Sequence, residues 1–274
     1  MLAATSLSWA GRIVTDSIES KVLGATVKYN VYLPAGFEKS EARYPVVYLL
    51  HGFTDDYTAW ERKGGMREIT DELIASGEAL PMVIIMPNAG GPDTENTWNG
   101  YFNMPGWAYE DFFFTELLPQ AEAKYRCIGD KKHRAVMGLS MGGGGSIIYC
   151  QRHPDMFSSC YGMSPWAHSG DGRLGPKGEK TKTYYVQESV KELSAINFMD
   201  NCTDMQKEQL RSLHWFLDCG DDDFLLYDTF ELFKKMRSSR LNVELRVRNG
   251  GHTWEYWRAA LRISLPFASR NFTK

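Results

Sequence analysis

Gly138-Leu139-Ser140-Met141-Gly142 sets a serine between two glycines. A serine hydroxyl is a useful nucleophile only when a base takes its proton, and G-x-S-x-G is a pattern that exposes such a hydroxyl on a sharp strand-to-helix turn. Flanking glycines let the backbone bend without side-chain clashes. A helix starting there points its amino terminus at the negative charge that develops in acyl transfer. By composition alone, chance would give this pattern in about one chain of this length in ten. Context adds to it: the mostly apolar run Arg134-Ala135-Val136-Met137-Gly138 comes before, and the small residues of Gly142–Ile148 open a helix after. The glycine run matches neither G-x-x-x-x-G-K-[ST] nor G-x-G-x-x-G, which argues against a phosphate loop.

A serine on such a turn takes its acid and then its histidine from later in the chain. His153, His168, His214 and His252 follow Ser140. His153 closes the nucleophile helix, His214 enters an apolar strand, and His168 leaves little room for an intervening acid. His252, in Gly250-Gly251-His252-Thr253-Trp254, falls between the last strand and the last helix, where catalytic loops belong. The acid is expected in Cys219-Gly220-Asp221-Asp222-Asp223-Phe224, where it would orient the imidazole. Asp223 is favoured and Asp222 is the alternative; Asp221 and Asp222 also read as solvated turn or cap residues. The D-x-D-x-D-G spacing of a calcium loop is absent. A tetrahedral oxyanion needs two N–H donors, assigned to Met141 and, in the loop His51-Gly52-Phe53-Thr54, to Phe53. His51 precedes the serine and reads as a brace for that loop.

These residues need a scaffold of strand ends. Val46–Leu50, Met82–Met86, Arg134–Gly138, Cys160–Met163, Trp215–Asp218 and Val243–Val247 are short runs with little alternation, as in strands covered on both faces. Helical stretches at Glu110–Tyr125, Gly142–Arg152, Asp228–Arg240 and Thr253–Ser269 separate many of them. Gly11–Thr15 and Thr26–Leu33 alternate instead and suggest an antiparallel edge hairpin. The expected fold is α/β: one domain over 1–274, a mostly parallel sheet with antiparallel amino-terminal edge strands and helices on both faces. Asn88–Ala108 and Trp166–Gln209 break the rhythm and read as loops over the site; 166–209 begins with Gly and Lys, then turns helical, and reads as a small cap or loop insertion.

The 274 residues are 43% hydrophobic and 24% charged, with a formal net charge of −3. That charge gives no field for nucleic acid or anionic lipid, and no apolar run reaches the roughly 18 residues of a membrane span. Met1–Leu7 shows no signal peptide, which fits an intracellular protein or one whose leader has been removed. Five cysteines without C-x-x-C or metal-ligand spacing leave at least one thiol unpaired in a monomer and argue against a disulfide framework.

Val31-Tyr32-Leu33-Pro34, Tyr48-Leu49-Leu50-His51-Gly52, Met86-Pro87-Asn88-Ala89-Gly90-Gly91, Tyr109-Glu110-Asp111-Phe112, Gly138–Gly143, Asp218-Cys219-Gly220 and Gly250-Gly251-His252 together resemble carbohydrate esterase family one. That family holds feruloyl and acetyl-xylan esterases and is related to S-formylglutathione hydrolases and mycolyltransferases. The resemblance implies an α/β-hydrolase fold, Ser140 as nucleophile, Asp223 as acid, His252 as base, Phe53 and Met141 as oxyanion donors, and no metal or organic cofactor. Gly52 runs directly into Phe53-Thr54-Asp55-Asp56, without the longer cysteine-containing loop of S-formylglutathione hydrolases, which argues against a glutathione thioester. The expected activity is a serine carboxylesterase acting on a small-molecule or oligosaccharide ester, with feruloyl or related esters of plant cell-wall polysaccharide preferred. Trp98, Trp107, Trp166 and Trp254 are candidates to stack on the phenolic acid or sugar. Acetyl-xylan or short-acyl esterase activity, acyl transfer by the same triad, peptidase activity and a non-catalytic carbohydrate-binding protein are the alternatives.

Overall fold

Every side chain of Val46–Leu50, Val83–Pro87 and Arg134–Leu139 is buried, as strands covered on both faces require. The computed structural model describes residues 10–273, so the reading of Met1–Leu7 lies outside the described residues. Its strands are β1 (Arg12–Ser20), β2 (Ala25–Leu33), β3 (Val46–Leu50), β4 (Val83–Pro87), β5 (Asn103–Met104), β6 (Trp107–Ala108), β7 (Arg134–Leu139), β8 (Ser159–Met163), β9 (His214–Gly220) and β10 (Val243–Arg248). Eight of them form one sheet in the order β1-β2-β4-β3-β7-β8-β9-β10, while β5 and β6 pair separately. The β1–β2 and β2–β4 pairings are antiparallel. From β4 to β10 all neighbours are parallel.

The helices are α1 (Ala59–Arg62), α2 (Met66–Ala75), α3 (Tyr109–Phe112), α4 (Leu118–Lys124), α5 (Met141–Arg152), α6 (Lys182–Glu192), α7 (Ala195–Asn201), α8 (Asp204–Arg211), α9 (Leu226–Ser238) and α10 (Trp254–Asn271). Alternate residues of β3 face opposite cores, as the two-residue strand period dictates. Val46, Tyr48 and Leu50 belong to the core that also holds Ile147 of α5 and Leu232 of α9. Val47 and Leu49 pack with Ile69 of α2 and Leu261 of α10. Helices therefore cover both faces.

Two elements depart from expectation. The helix read as continuous over 110–125 is α3 and α4 joined by a π-helical stretch, Phe113–Leu117, a widening that periodicity does not register. The run Val243–Val247, read as covered on both faces, is β10, which stands at the sheet's edge and buries fully only Val243. The stretch 166–209 turns helical as read, in α6, α7 and α8; Gln151 Nε2 donates to Ala195 O at 3.1 Å, which ties α7 to α5. Among the described residues, no helix is long and apolar enough to cross a membrane.

Candidate active site

The turn between β7 and α5 holds Ser140 at φ 51° and ψ −116°. A non-glycine residue in that region costs about 1–3 kcal/mol and persists only where its surroundings fix it. Here three backbone bonds do so: Ser140 N–H donates to Met163 O at 2.8 Å, and Ser140 O accepts from Gly144 N–H at 3.0 Å and Trp166 N–H at 2.9 Å. The glycines around the turn are demanded by close approach. A Cβ on Gly142 would stand 2.5 Å from Leu50 O, and one on Gly144 would stand 2.0 Å from Trp166 O. Four successive glycines weaken a helix by about 1 kcal/mol each relative to alanine, and in return α5 lies directly on the strand ends.

Ser140 Oγ lies 2.9 Å from His252 Nε2. On the other side of the ring, His252 Nδ1 lies 3.0 and 2.9 Å from the two oxygens of Asp223. Of the three consecutive aspartates, Asp223 is the buried one, and Asp221 and Asp222 are exposed. Asp221 instead accepts the Gly250 N–H at 2.9 Å, and Asp222 N–H donates to Gly250 O at 3.0 Å. The acid loop and the histidine loop are thus stitched together. Burial pushes the Asp223 carboxyl up, but hydrogen bonds from His252, the Leu225 N–H and Ser164 outweigh it and hold the group below the ordinary carboxylate range. Thr253 caps α10 by accepting the Tyr256 N–H at 3.4 Å, which fixes the residue just before it, His252.

The loop after β3 presses against the serine. A Cβ on Gly52 would lie 3.8 Å from Ser140 Cβ. Phe53 follows, with its carbonyl accepting from Asn99 Nδ2, and the Tyr101 hydroxyl accepts the His51 N–H at 2.7 Å. Met141 opens α5, so its N–H is one of the first-turn donors without an intrahelical partner. His51 lies away from Ser140 chemistry: its Nδ1 is 2.8 Å from Gly52 O and its Nε2 accepts the Ala89 N–H at 2.9 Å. That network selects the neutral ring, and burial lowers its pKa.

A cavity of about 510 Å³ opens beside Ser140 and His252, with Phe53, Trp166, Phe224, Trp254 and Trp257 in its walls. The structure therefore brings Trp166 and Trp254 to the serine but does not bring Trp98 and Trp107 there. Those two stack on each other at 6.1 Å in a separate recess, where Lys182 sits over Trp98. The physical reason is the folding back of the 88–108 loop, fastened by Gly100 N–H to Ala89 O at 3.0 Å and by Asn99 to Gly91 O at 2.8 Å. Sequence reasoning passed over Phe224, Lys63 and Gln187 in the cleft wall, and Ser164 and Trp257 behind the Asp223–His252 pair. Ser164 did carry a signal, standing one residue beyond β8 at the sheet edge where the other site residues lie. Among the described residues, no cluster of His, Cys, Asp or Glu is arranged to hold a metal ion.

The Esterase family matches residues 20–268. A solved ferulic acid esterase superimposes with a TM-score of 0.93 at 47% identity, covering 96% of this chain and 99% of that one. The endo-1,4-beta-xylanase/feruloyl esterase of Xylanibacter ruminicola is 30% identical over 201 residues, which are 69% of this chain and 27% of that protein. Esterase Rv1288 of Mycobacterium tuberculosis is 32% identical over 159 residues, 57% of this chain and 32% of that protein. The chain thus spans about a third or less of these curated relatives. An α/β sheet of this order, with the site at its strand ends and a family match along most of its length, leads to one assignment: the chain belongs to the Esterase family and has the α/β-hydrolase fold.

Proposed function

We propose that the chain is a serine carboxylesterase that cleaves feruloyl or related hydroxycinnamoyl esters of plant cell-wall polysaccharide through an acyl-enzyme. The observation that carries the mechanism is the continuous line Ser140 Oγ–His252 Nε2 and His252 Nδ1–Asp223. In it, Ser140 Oγ attacks the ester carbonyl while His252 takes its proton, and Asp223 holds the imidazole in the tautomer that can accept it. The Phe53 and Met141 N–H groups receive the oxyanion, each such donor contributing about 3 kcal/mol to the transition state. His252 then protonates the departing alcohol, and a water activated by the same histidine releases the acid.

Support for the acyl preference comes from two sources. The cleft is walled by aromatic rings, suited to a flat phenolic acid. A ferulic acid esterase is 47% identical over nearly the whole chain. Hydrolysis of methyl ferulate beside p-nitrophenyl acetate, with wild type and Ser140→Ala in parallel, tests both layers. A strong ferulate preference lost in Ser140→Ala is expected. Cleavage of the acetate alone moves the substrate to short-acyl esters, and activity retained by Ser140→Ala overturns the mechanism.

A further inference from the structure

We infer that Phe224, Tyr227 and Phe230 form a platform for the sugar that carries the ester, on the leaving-group side of the cleft. The inference rests on the esterase mechanism proposed above. In that mechanism the alcohol departs with the proton held on His252 Nε2, so the leaving oxygen must come within hydrogen-bond reach of that nitrogen. Whatever the alcohol belongs to leaves the cleft beside the His252 ring.

Two rings flank that imidazole. Trp257 meets it edge-on at 4.8 Å and is buried, whereas Phe224 lies at 4.5 Å and is 74% exposed. Phe224 therefore marks the side on which His252 opens to solvent. Leu226 N–H donates to Asp223 O at 3.0 Å and Thr229 N–H to Leu225 O at 3.0 Å, so the chain already turns helically at Phe224. Residues three apart in such a turn are neighbours on one surface. Tyr227 is 81% exposed and Phe230 follows at 39%. Large aromatic side chains are seldom left this open, and a run of them that begins at a cleft is the mark of a binding surface.

The chemistry of the strip selects a sugar. A pyranose or furanose ring offers an apolar face of C–H bonds and an edge of hydroxyls. Tyr227 likewise combines an apolar ring with a polar tip. Asp228 and Glu231 lie next to the strip in sequence on the same helix; carboxylates accept hydrogen bonds from hydroxyls and repel an anionic membrane surface. The strip is also continuous with the cleft at Phe224, where the carrier of the ester must emerge.

The readout is the ratio of kcat/KM on a feruloylated arabinoxylo-oligosaccharide to kcat/KM on methyl ferulate, which share the acyl group and differ in the alcohol. Tyr227→Ala and Phe224→Ala should each lower this ratio by about three- to tenfold, the range of a lost ring contact. Tyr227→Phe keeps the ring and should keep most of the ratio, which a merely structural effect on folding would not separate. If the enzyme turns over neither feruloyl ester well, the hydroxycinnamoyl reading fails by itself, and the same ratio is taken between acetylated xylobiose and ethyl acetate. A ratio unchanged in both alanine variants overturns the platform. So does an unchanged ratio accompanied by a loss of self-association on sedimentation, which would give the strip to a second copy of the chain.

Discussion

The indole N–H of Trp257 donates to the Ser164 hydroxyl at 3.0 Å. Ser164 in turn helps to hold the Asp223 carboxyl below the ordinary carboxylate range, and the Trp257 ring stands edge-on to His252 at 4.8 Å. One side chain of α10 thus supports both partners of Ser140 from behind. Ser164→Ala should remove a hydroxyl that favours the charged Asp223 and leave the buried indole N–H without its acceptor, a loss of about 1–3 kcal/mol. The expected outcome is a lower Tm together with a fall in kcat that exceeds any rise in KM, because orientation of the base rather than substrate binding is disturbed. Thermal melts and steady-state kinetics on one ester check it; an unchanged kcat would detach Ser164 from the reaction.

The three aspartates after Gly220 give a sharper test. Asp223 touches His252, while exposed Asp222 contributes its backbone N–H to Gly250 O. Asp223→Asn keeps the shape but disfavours the tautomer that accepts the serine proton, and a loss of about 10⁴-fold in kcat is expected. Asp222→Ala should stay within about twofold of wild type, since surface changes away from special features have small effects. Reversal of the two results would move the acid to Asp222.

Acid should destabilise the protein through carboxylates such as Glu110. Burial raises this group, but hydrogen bonds from His153 and Arg152 more than offset it and hold it below the ordinary glutamate value. With the folded value depressed below the unfolded one, its contribution is present above the unfolded pKa, near pH 4, and is lost as pH falls through the folded pKa. Glu110→Gln should therefore lower the urea midpoint more at pH 6 than at pH 3. Equal losses at both pH values would show that Glu110 is not held in its charged form by these partners.

What could be read beforehand follows a physical division. The buried runs of β3 and β7 declare themselves because a strand covered on both faces must be mostly apolar, the one charge in β7, Arg134, being buried against Glu122. The chain order of Ser140, Asp223 and His252 is visible because each stands where a strand ends. Trp98 and Trp107 show the opposite: their residue types were plain, but which recess they enter depends on loop bonds from Asn99 and Gly100 that no periodicity carries. The helix α2 escaped because its buried positions, Met66, Ile69, Thr70 and Leu73, are few and interleaved with charges behind two glycines. Ser164 and Trp257 belong to no motif; their significance arises only where β8 and α10 meet.

The five cysteines offer a last check on the packing beneath the site. All five are free and buried, and Cys219, on β9, is pushed up to about 12 by burial, with the Asp223 charge adding to the effect. Burial also raises the Cys127 and Cys150 thiols. Only the thiolate attacks a disulfide reagent, so at pH 8 the reactive form of Cys219 is scarce, and the reagent must wait for the sheet to open as well. Ellman's reagent should therefore titrate close to no thiol within minutes in the native protein and five after denaturation. Because Cys219 lies beside Asp223, its slow modification should remove esterase activity in step with the label. Reaction of Cys219 itself within seconds in the folded protein, located by mapping the label, would mean that the strand ends under Asp223 are looser than the buried contacts of β9 imply.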